Sequence, residues 1–167
     1  MKYTLSVLVE NQPGVLSKVS GLFSRRGFNI DSLAVGVTED PAISRMTIVV
    51  DGDEYILEQV EKQLNKVIPV IKVKNLNESG SFISSELSLI KVSSTAQQRA
   101  EIVSISKLMQ ADIVDVSLSS LTLQIADTSE KTETLISLLK PYGIKEIVRT
   151  GTVAIEKGPA VTRKQNA

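Results

Sequence analysis

Any chemistry in this sequence must be done without histidine or cysteine, because it contains neither. Ser-His and Cys-His catalysis, thiolate or imidazole zinc sites, iron-sulfur clusters and haem are thereby excluded. The densest carboxylate cluster is Asp51-Gly52-Asp53-Glu54. Acids at the first turn of a helix cap free N–H groups and complement the helix dipole, whereas oxygen-ligand cation sites recruit more ligands than this loop offers. No GxGxxG or GxxxxGK[ST] phosphate loop occurs. No catalytic residue, metal or cofactor is therefore assigned to the chain.

One segment offers binding chemistry. In Glu10-Asn11-Gln12-Pro13-Gly14-Val15, Pro13 suits the first position of a helix, and Gly14 lets a ligand approach the unpaired N–H groups there. Asn11 precedes that helix and Asn29 starts the next strand. Both are expected at the same end of a sheet, where their amides offer donor and acceptor to the carboxylate and ammonium of an amino acid. A plain Pro-Gly helix start with an incidental loop asparagine explains the spacing equally well. Arg25-Arg26 reads as a solvated helix end and Arg45 as a surface pairing residue.

The positioning elements follow from periodicity. Tyr3, Leu5, Val7 and Val9 alternate with Thr4 and Ser6, the pattern of a half-buried strand. Val15, Leu16, Val19, Leu22 and Phe23 recur at helical spacing, so a helix is expected over about 13–26, closed by Gly27. A strand from Phe28 shifts phase near Asp31-Ser32, which a bulge explains. A hairpin loop at 38–44 leads to a strand over 45–50, then a helix carrying Ile56, Val60 and Leu64, and a strand over 69–73. After a polar connector at 75–81 the order returns: strand 86–92, helix 97–109, strands 113–118 and 121–125, helix 129–139, and one strand or two over 144–155, broken at Gly151.

The fold class expected is α+β, two ferredoxin-like βαββαβ domains in tandem. The first spans 1–76, a linker 77–82, the second 83–158, and a flexible polar tail 159–167. Lys plus Arg and Asp plus Glu both number 19, which argues against nucleic-acid or membrane-surface binding. The few aromatics, three Phe and three Tyr, supply no base-stacking pattern. No apolar run approaches the roughly 20 residues that span a bilayer, and no export signal is read at the start.

The run Asn11-Gln-Pro-Gly-Val-Leu-Ser-Lys-Val-Ser-Gly-Leu-Phe-Ser-Arg-Arg-Gly-Phe-Asn-Ile-Asp-Ser-Leu33, with Ser44-Arg-Met-Thr-Ile48 and Glu58-Gln-Val-Glu-Lys-Gln-Leu-Asn-Lys66, closely resembles the regulatory (small) subunits of acetolactate synthase. Its first half resembles an ACT domain, the amino-acid-sensing ferredoxin-like module. Ile113-Val-Asp-Val-Ser117 and Tyr142-Gly-Ile-Lys-Glu-Ile-Val-Arg-Thr-Gly151 resemble the family's C-terminal domain. Met109-Gln110-Ala111 stands where relatives often carry Phe-Arg-Ala, and Asp127 where many have Gly.

The resemblance implies a non-catalytic subunit that activates a separate large, thiamine-diphosphate-dependent catalytic subunit. That partner would also hold Mg and FAD. It further implies feedback inhibition by a branched-chain amino acid, usually valine, in a cytoplasmic protein or one of the plastid stroma. The family's effector contacts fall on Asn11, Gly14 and Asn29, with backbone at Pro13, Val15 and Ile30. Homodimers through ACT domains are expected, with effectors at the seam. A stand-alone amino-acid-binding ACT regulator is the alternative.

Overall fold

The computed structural model describes residues 1–163; residues 164–167, the end of the expected tail, lie outside the described residues. β1 (Lys2–Glu10), α1 (Val15–Arg26), β2 (Asn29–Val37), β3 (Ile43–Asp51), α2 (Glu54–Asn65) and β4 (Val70–Asn75) come first. Their strands form an antiparallel sheet in the order β2-β3-β1-β4. β5 (Phe82–Ser93), α3 (Arg99–Leu108), β6 (Asp112–Val116), β7 (Ser120–Asp127), α4 (Ser129–Leu139) and β8 (Ile144–Arg149) repeat the pattern as β6-β7-β5-β8. β9 (Val153–Glu156) follows and pairs with β5, so the break at Gly151 divides two strands. Both repeats are ferredoxin-like, as the periodicity implies.

Local signals set the ends of the elements. Asp53 caps α2 by accepting from the Ile56 N–H at 2.8 Å, which is the capping role expected of that acidic cluster. Gly27, left-handed at φ +69°, closes α1, and the Phe28 N–H reaches back to the Phe23 carbonyl. α1 begins at Val15 rather than 13, because Gly14 adopts φ +84° and leaves the right-handed helical region. Ahead of α3, Thr95 and Gln98 exchange side-chain-to-backbone bonds in a capping box, and regular helix starts only at Arg99. The phase shift in β2 is a register break between Ile30 and Ser32 against β3.

In the first repeat, Leu5, Val7, Met46, Ile48 and Val50 pack against Val19, Leu22 and Phe23 of α1 and Leu57, Val60 and Leu64 of α2. In the second, Ile90, Val92, Leu121, Leu123 and Ile125 pack against Ile102, Leu135, Ile136 and Leu139. Leu108, which continues the helical period, is 75% exposed, while Met109 closes that core after the helix has ended.

The chain folds as two compact units, Met1–Ile83 joined by the segment from Thr152, and Ser84–Gly151. The stretch 152–158, placed by its position in sequence with the second domain, thus packs on the first unit. It forms a strap across the helix-free face of the first sheet. Ser32, Arg45 and Lys74 pair with Val49, Leu8 and Ser6, all on the face turned away from α1 and α2. Each holds the strap: the Thr152 N–H donates to Ser32 Oγ at 2.8 Å, Arg45 donates to the Thr162 carbonyl at 3.4 Å, and Lys74 ion-pairs with Glu156. The Lys157 N–H donates to the Ser81 carbonyl at 3.2 Å. Ser6, Leu76, Ala154 and Thr162 meet around a cavity of about 150 Å³.

Two expectations change in consequence. β1 is buried on both faces, Thr4, Ser6 and Leu8 included, rather than half-buried. Arg45 is not a simple surface residue: its Nε is buried without a partner among the described residues.

Glu156 is 6% exposed, and the Lys74 ammonium against it holds its carboxyl below the ordinary value of 4.5 despite the opposing effect of burial. A lowered folded value means that its contribution to stability is complete above about pH 4.5 and is lost as pH falls through the folded value. Glu156→Gln should therefore lower the melting temperature at pH 7, and the gap to wild type should narrow on acidification towards pH 3. An equal gap at both values would contradict the pairing.

Candidate functional site

The junction of β1 and α1 is an exposed corner on a buried base. Val15 is buried in the core, while Asn11, Gln12, Pro13 and Gly14 are exposed. Gly14 is left-handed and no atom lies within 4 Å of the position a Cβ would take, so open space faces the backbone there. The Val15 N–H makes only a long contact to the Gln12 carbonyl at 3.5 Å. The N–H groups of Gly14, Leu16 and Ser17 have no acceptor among the described residues. Pro13 removes a further donor that would otherwise compete. These amides at the positive end of the α1 dipole suit a carboxylate.

Asn11 is fixed by the β2–β3 loop. Its N–H donates to the Ala42 carbonyl at 2.8 Å, and its Nδ2 donates to the Pro41 carbonyl at 2.9 Å. The loop is itself braced: Thr38 Oγ1 donates towards Ile43 O, and the Ala42 N–H donates to Asp40 Oδ1. With Nδ2 engaged, Asn11 Oδ1 is left as an acceptor with no donor among the described residues, suited to an ammonium. Pro41 and Ala42 were not singled out in sequence, since backbone carbonyls leave no residue-type signature.

Asn29 is elsewhere. It pairs with Asp51, which pairs with Lys2, so Asn29 stands at the start of β1, whereas Asn11 follows its end. The nine residues of β1 separate the two by roughly 27 Å at about 3.4 Å per residue. The expectation that both asparagines share one end of the sheet is therefore corrected. α1 runs back along the sheet before β2 begins, and β2 starts where β1 started. Asn11, Pro13, Gly14 and Val15 come together at one end; Asn29 and Ile30 lie at the other.

Outside this corner Arg149 and Tyr142 have structural partners. Arg149 bridges Glu86, which is buried, and Glu133. Tyr142 donates to Glu101 at 2.8 Å. Among the described residues no group of His, Cys, Asp and Glu could hold a metal ion, and no helix is long and apolar enough to cross a membrane.

Comparison with known proteins adds the family. Residues 5–72 match the AHAS small subunit-like ACT domain, and residues 85–158 match the small subunit of acetolactate synthase. The acetolactate synthase small subunit of Mycolicibacterium smegmatis is 54% identical over 94% of this chain and 92% of its own. The probable acetolactate synthase small subunit of Archaeoglobus fulgidus is 51% identical over 95% of this chain and 98% of its own. The chain belongs to the acetolactate synthase small-subunit family. A crystal structure of the Thermotoga maritima acetolactate synthase small subunit agrees in fold, with TM-score 0.88 and 38% identity over 96% of this chain and 99% of that one.

Family membership makes the first unit's sheet and helices an ACT domain. The family's C-terminal match runs through residue 158, so the strap belongs to the second segment in sequence and to the first unit in space. The two departures from common family letters are accommodated locally. Gln110 takes a left-handed turn at φ +56° and accepts from Lys131 at 2.9 Å. The Thr128 N–H and Lys131 hold the Asp127 carboxyl below its usual range.

The corner yields a stability prediction. A non-glycine residue at φ +84° costs about 1 kcal/mol, and Asn11→Ala forfeits about 1 kcal/mol with its bond to Pro41. Urea unfolding should show both losses without a change in slope. A Gly14→Ala chain as stable as wild type would refute the left-handed conformation.

Proposed function

We propose that this chain is the regulatory subunit of acetolactate synthase, activating a large catalytic subunit and conferring feedback inhibition by a branched-chain amino acid, valine foremost. The observation that carries the effector reading is the corner at Asn11–Val15, where unpaired amides and the Asn11 carbonyl oxygen face open space. A zwitterionic amino acid matches it in charge at both ends. Thiamine diphosphate, Mg²⁺ and FAD are assigned to the catalytic partner. The bacterial and archaeal sources of the relatives favour the cytoplasm over a plastid.

The proposed site is completed by a second copy of the chain. β2 is an edge strand with Val35 and Val37 exposed, and an unpaired edge favours strand addition. Antiparallel pairing of β2 with the partner's β2 about its centre, Leu33, sets Asn29 opposite the partner's Val37. Val37 pairs with Ser44 and Ser44 with Val9, so Asn29 arrives at the β1–α1 corner of the other protomer. Asn11, Pro13, Gly14 and Val15 of one chain and the partner's Asn29 and Ile30 then line each of two equivalent seams.

Mixed dimers provide the test. Gly14→Asp sets a carboxylate where the effector's own carboxylate would sit, and Asn29→His misplaces the polar contact. Each variant alone should still raise the rate of acetolactate formation by the large subunit while losing valine inhibition. A dimer of one Gly14→Asp chain and one Asn29→His chain carries both defects in one seam and none in the other. It should regain one L-valine site by calorimetric titration. No regained site would refute the shared seam, and valine sensitivity in both pure variants would refute the site itself.

A seam site also links binding to pairing. At free L-valine 100 times its dissociation constant, linkage favours the dimer by about 2.7 kcal/mol per site, so dilution in the ultracentrifuge should dissociate the protein less readily with L-valine present. Equally strong binding to demonstrably monomeric protein would contradict this.

A further inference from the structure

We infer that Ser32 is a positioning residue that couples the effector end of β2 to the C-terminal strap through its hydrogen bond from the Thr152 N–H. The inference rests on the effector reading above and extends it to the path by which occupancy is passed on. Three features of the first unit meet at this bond.

The first is the register break in β2. Asn29 and Ile30 pair with Asp51 and Val50, Asp31 falls outside the ladder, and Ser32 resumes it opposite Val49. A bulge places an extra residue just before Ser32 and bends the strand there, so Ser32 is the first ladder residue to follow a movement of the effector-facing end. Because of it Ser32 stands on the helix-free face, the face that carries the strap. The second is the bond itself: the Thr152 N–H donates to Ser32 Oγ at 2.8 Å in a partly buried setting, and it reaches 120 residues along the sequence. The third is what lies on either side of Thr152. Gly151, at φ +87°, ends the second unit, and β9 begins at Val153. Thr152 is thus the residue by which the second unit is joined to the strap, and Ser32 is what holds it.

The strap's other anchors lie further along it, on Lys74, Ser81 and Arg45 and in the pairing of β9 with β5. They fix its course but do not touch β2. Among the described residues, the Ser32 bond is the hydrogen bond that connects the strap to the strand bearing Asn29 and Ile30. A displacement of that strand end on effector binding changes the length or angle of this bond, and a neutral hydrogen bond stabilises one arrangement over another by a factor of roughly three to ten. Occupancy of the seam would then bias the strap, and by reciprocity the strap would bias affinity at the seam.

The experiment uses the holoenzyme reconstituted with the large subunit, L-valine as probe, and the variants Ser32→Ala and Ser32→Thr. Ser32→Ala should activate the large subunit as well as wild type does, but require roughly three- to tenfold more L-valine for half inhibition. Ser32→Thr keeps a hydroxyl and should restore the wild-type value. Hydrogen exchange of residues 152–157 should slow on addition of L-valine in wild type and in Ser32→Thr, and respond little in Ser32→Ala. Undiminished inhibition and an undiminished exchange response in Ser32→Ala would overturn the coupling while leaving the effector site intact. A wild-type holoenzyme insensitive to every branched-chain amino acid would overturn the functional reading and the coupling with it. Failure of Ser32→Thr to restore what Ser32→Ala loses would also overturn it, by showing that packing rather than the hydroxyl is responsible.

Discussion

The β1–α1–β2 crossover is the constraint on which the rest of this architecture depends. α1 must cover the sheet it leaves, so it runs back along β1, and β2 starts at the opposite end from the corner that α1 opens. The nine residues of β1, buried on both faces from Tyr3 to Val9, make that separation rigid. Polar groups at the two ends of one protomer cannot meet on one small molecule, because the sheet is several times longer than an amino acid. Whatever Asn11 and Asn29 do jointly requires a second chain turned end for end. In the proposed seam, dimerisation is part of the chemistry of the site and not an addition to it.

The proposed site also illustrates how a chain with neither histidine nor cysteine could recognise a small molecule. The groups it would use are main-chain amides and one asparagine oxygen, held by the left-handed turn at Gly14 and by the loop carbonyls of Pro41 and Ala42. A helix N-terminus favours an anion by about 0.3 to 1 kcal/mol at an exposed position, enough to orient a carboxylate but too little to hold it alone. Affinity must come from several such contacts made together, plus burial of an aliphatic side chain. A site of this kind carries no net charge and suits a ligand that carries none.

What the sequence made legible was local. Alternation and helical spacing are properties of contiguous residues, so the repeated βαββαβ order, the cap at Gly27, the cap at Asp53 and the bulge near Asp31 could all be read from it. Gly14 and Asn11 were legible as candidate ligands because Pro-Gly before a helix and a flanking amide have a direct chemical meaning. The rest depended on which sheet a segment joins, and periodicity is silent on that. Val153–Glu156 alternates like any strand, and nothing in its letters shows that it covers the first sheet. Thr4 and Ser6 look solvent-facing for the same reason, and Arg45 looks like a surface residue until Thr162 is placed beside it. The placement of both asparagines at one end failed for a simpler reason: it took neighbours across a helix as neighbours in space.

The strap makes the first unit discontinuous along the chain, and this has a temporal side. A ribosome adds residues in order, so β1 to β4 emerge and pair well before the segment beginning at Thr152 exists. Until then Ser6 and Arg45 have no strap over them, and Lys74 has no Glu156 beside it. The β6-β7-β5-β8 ladders of the second repeat fall within Ser84–Gly151 and can be finished first. The part of the protein made earliest is thus completed last. A nascent chain stalled before Thr152 would carry a sheet with one face finished and the other bare, the kind of surface that holdase chaperones recognise.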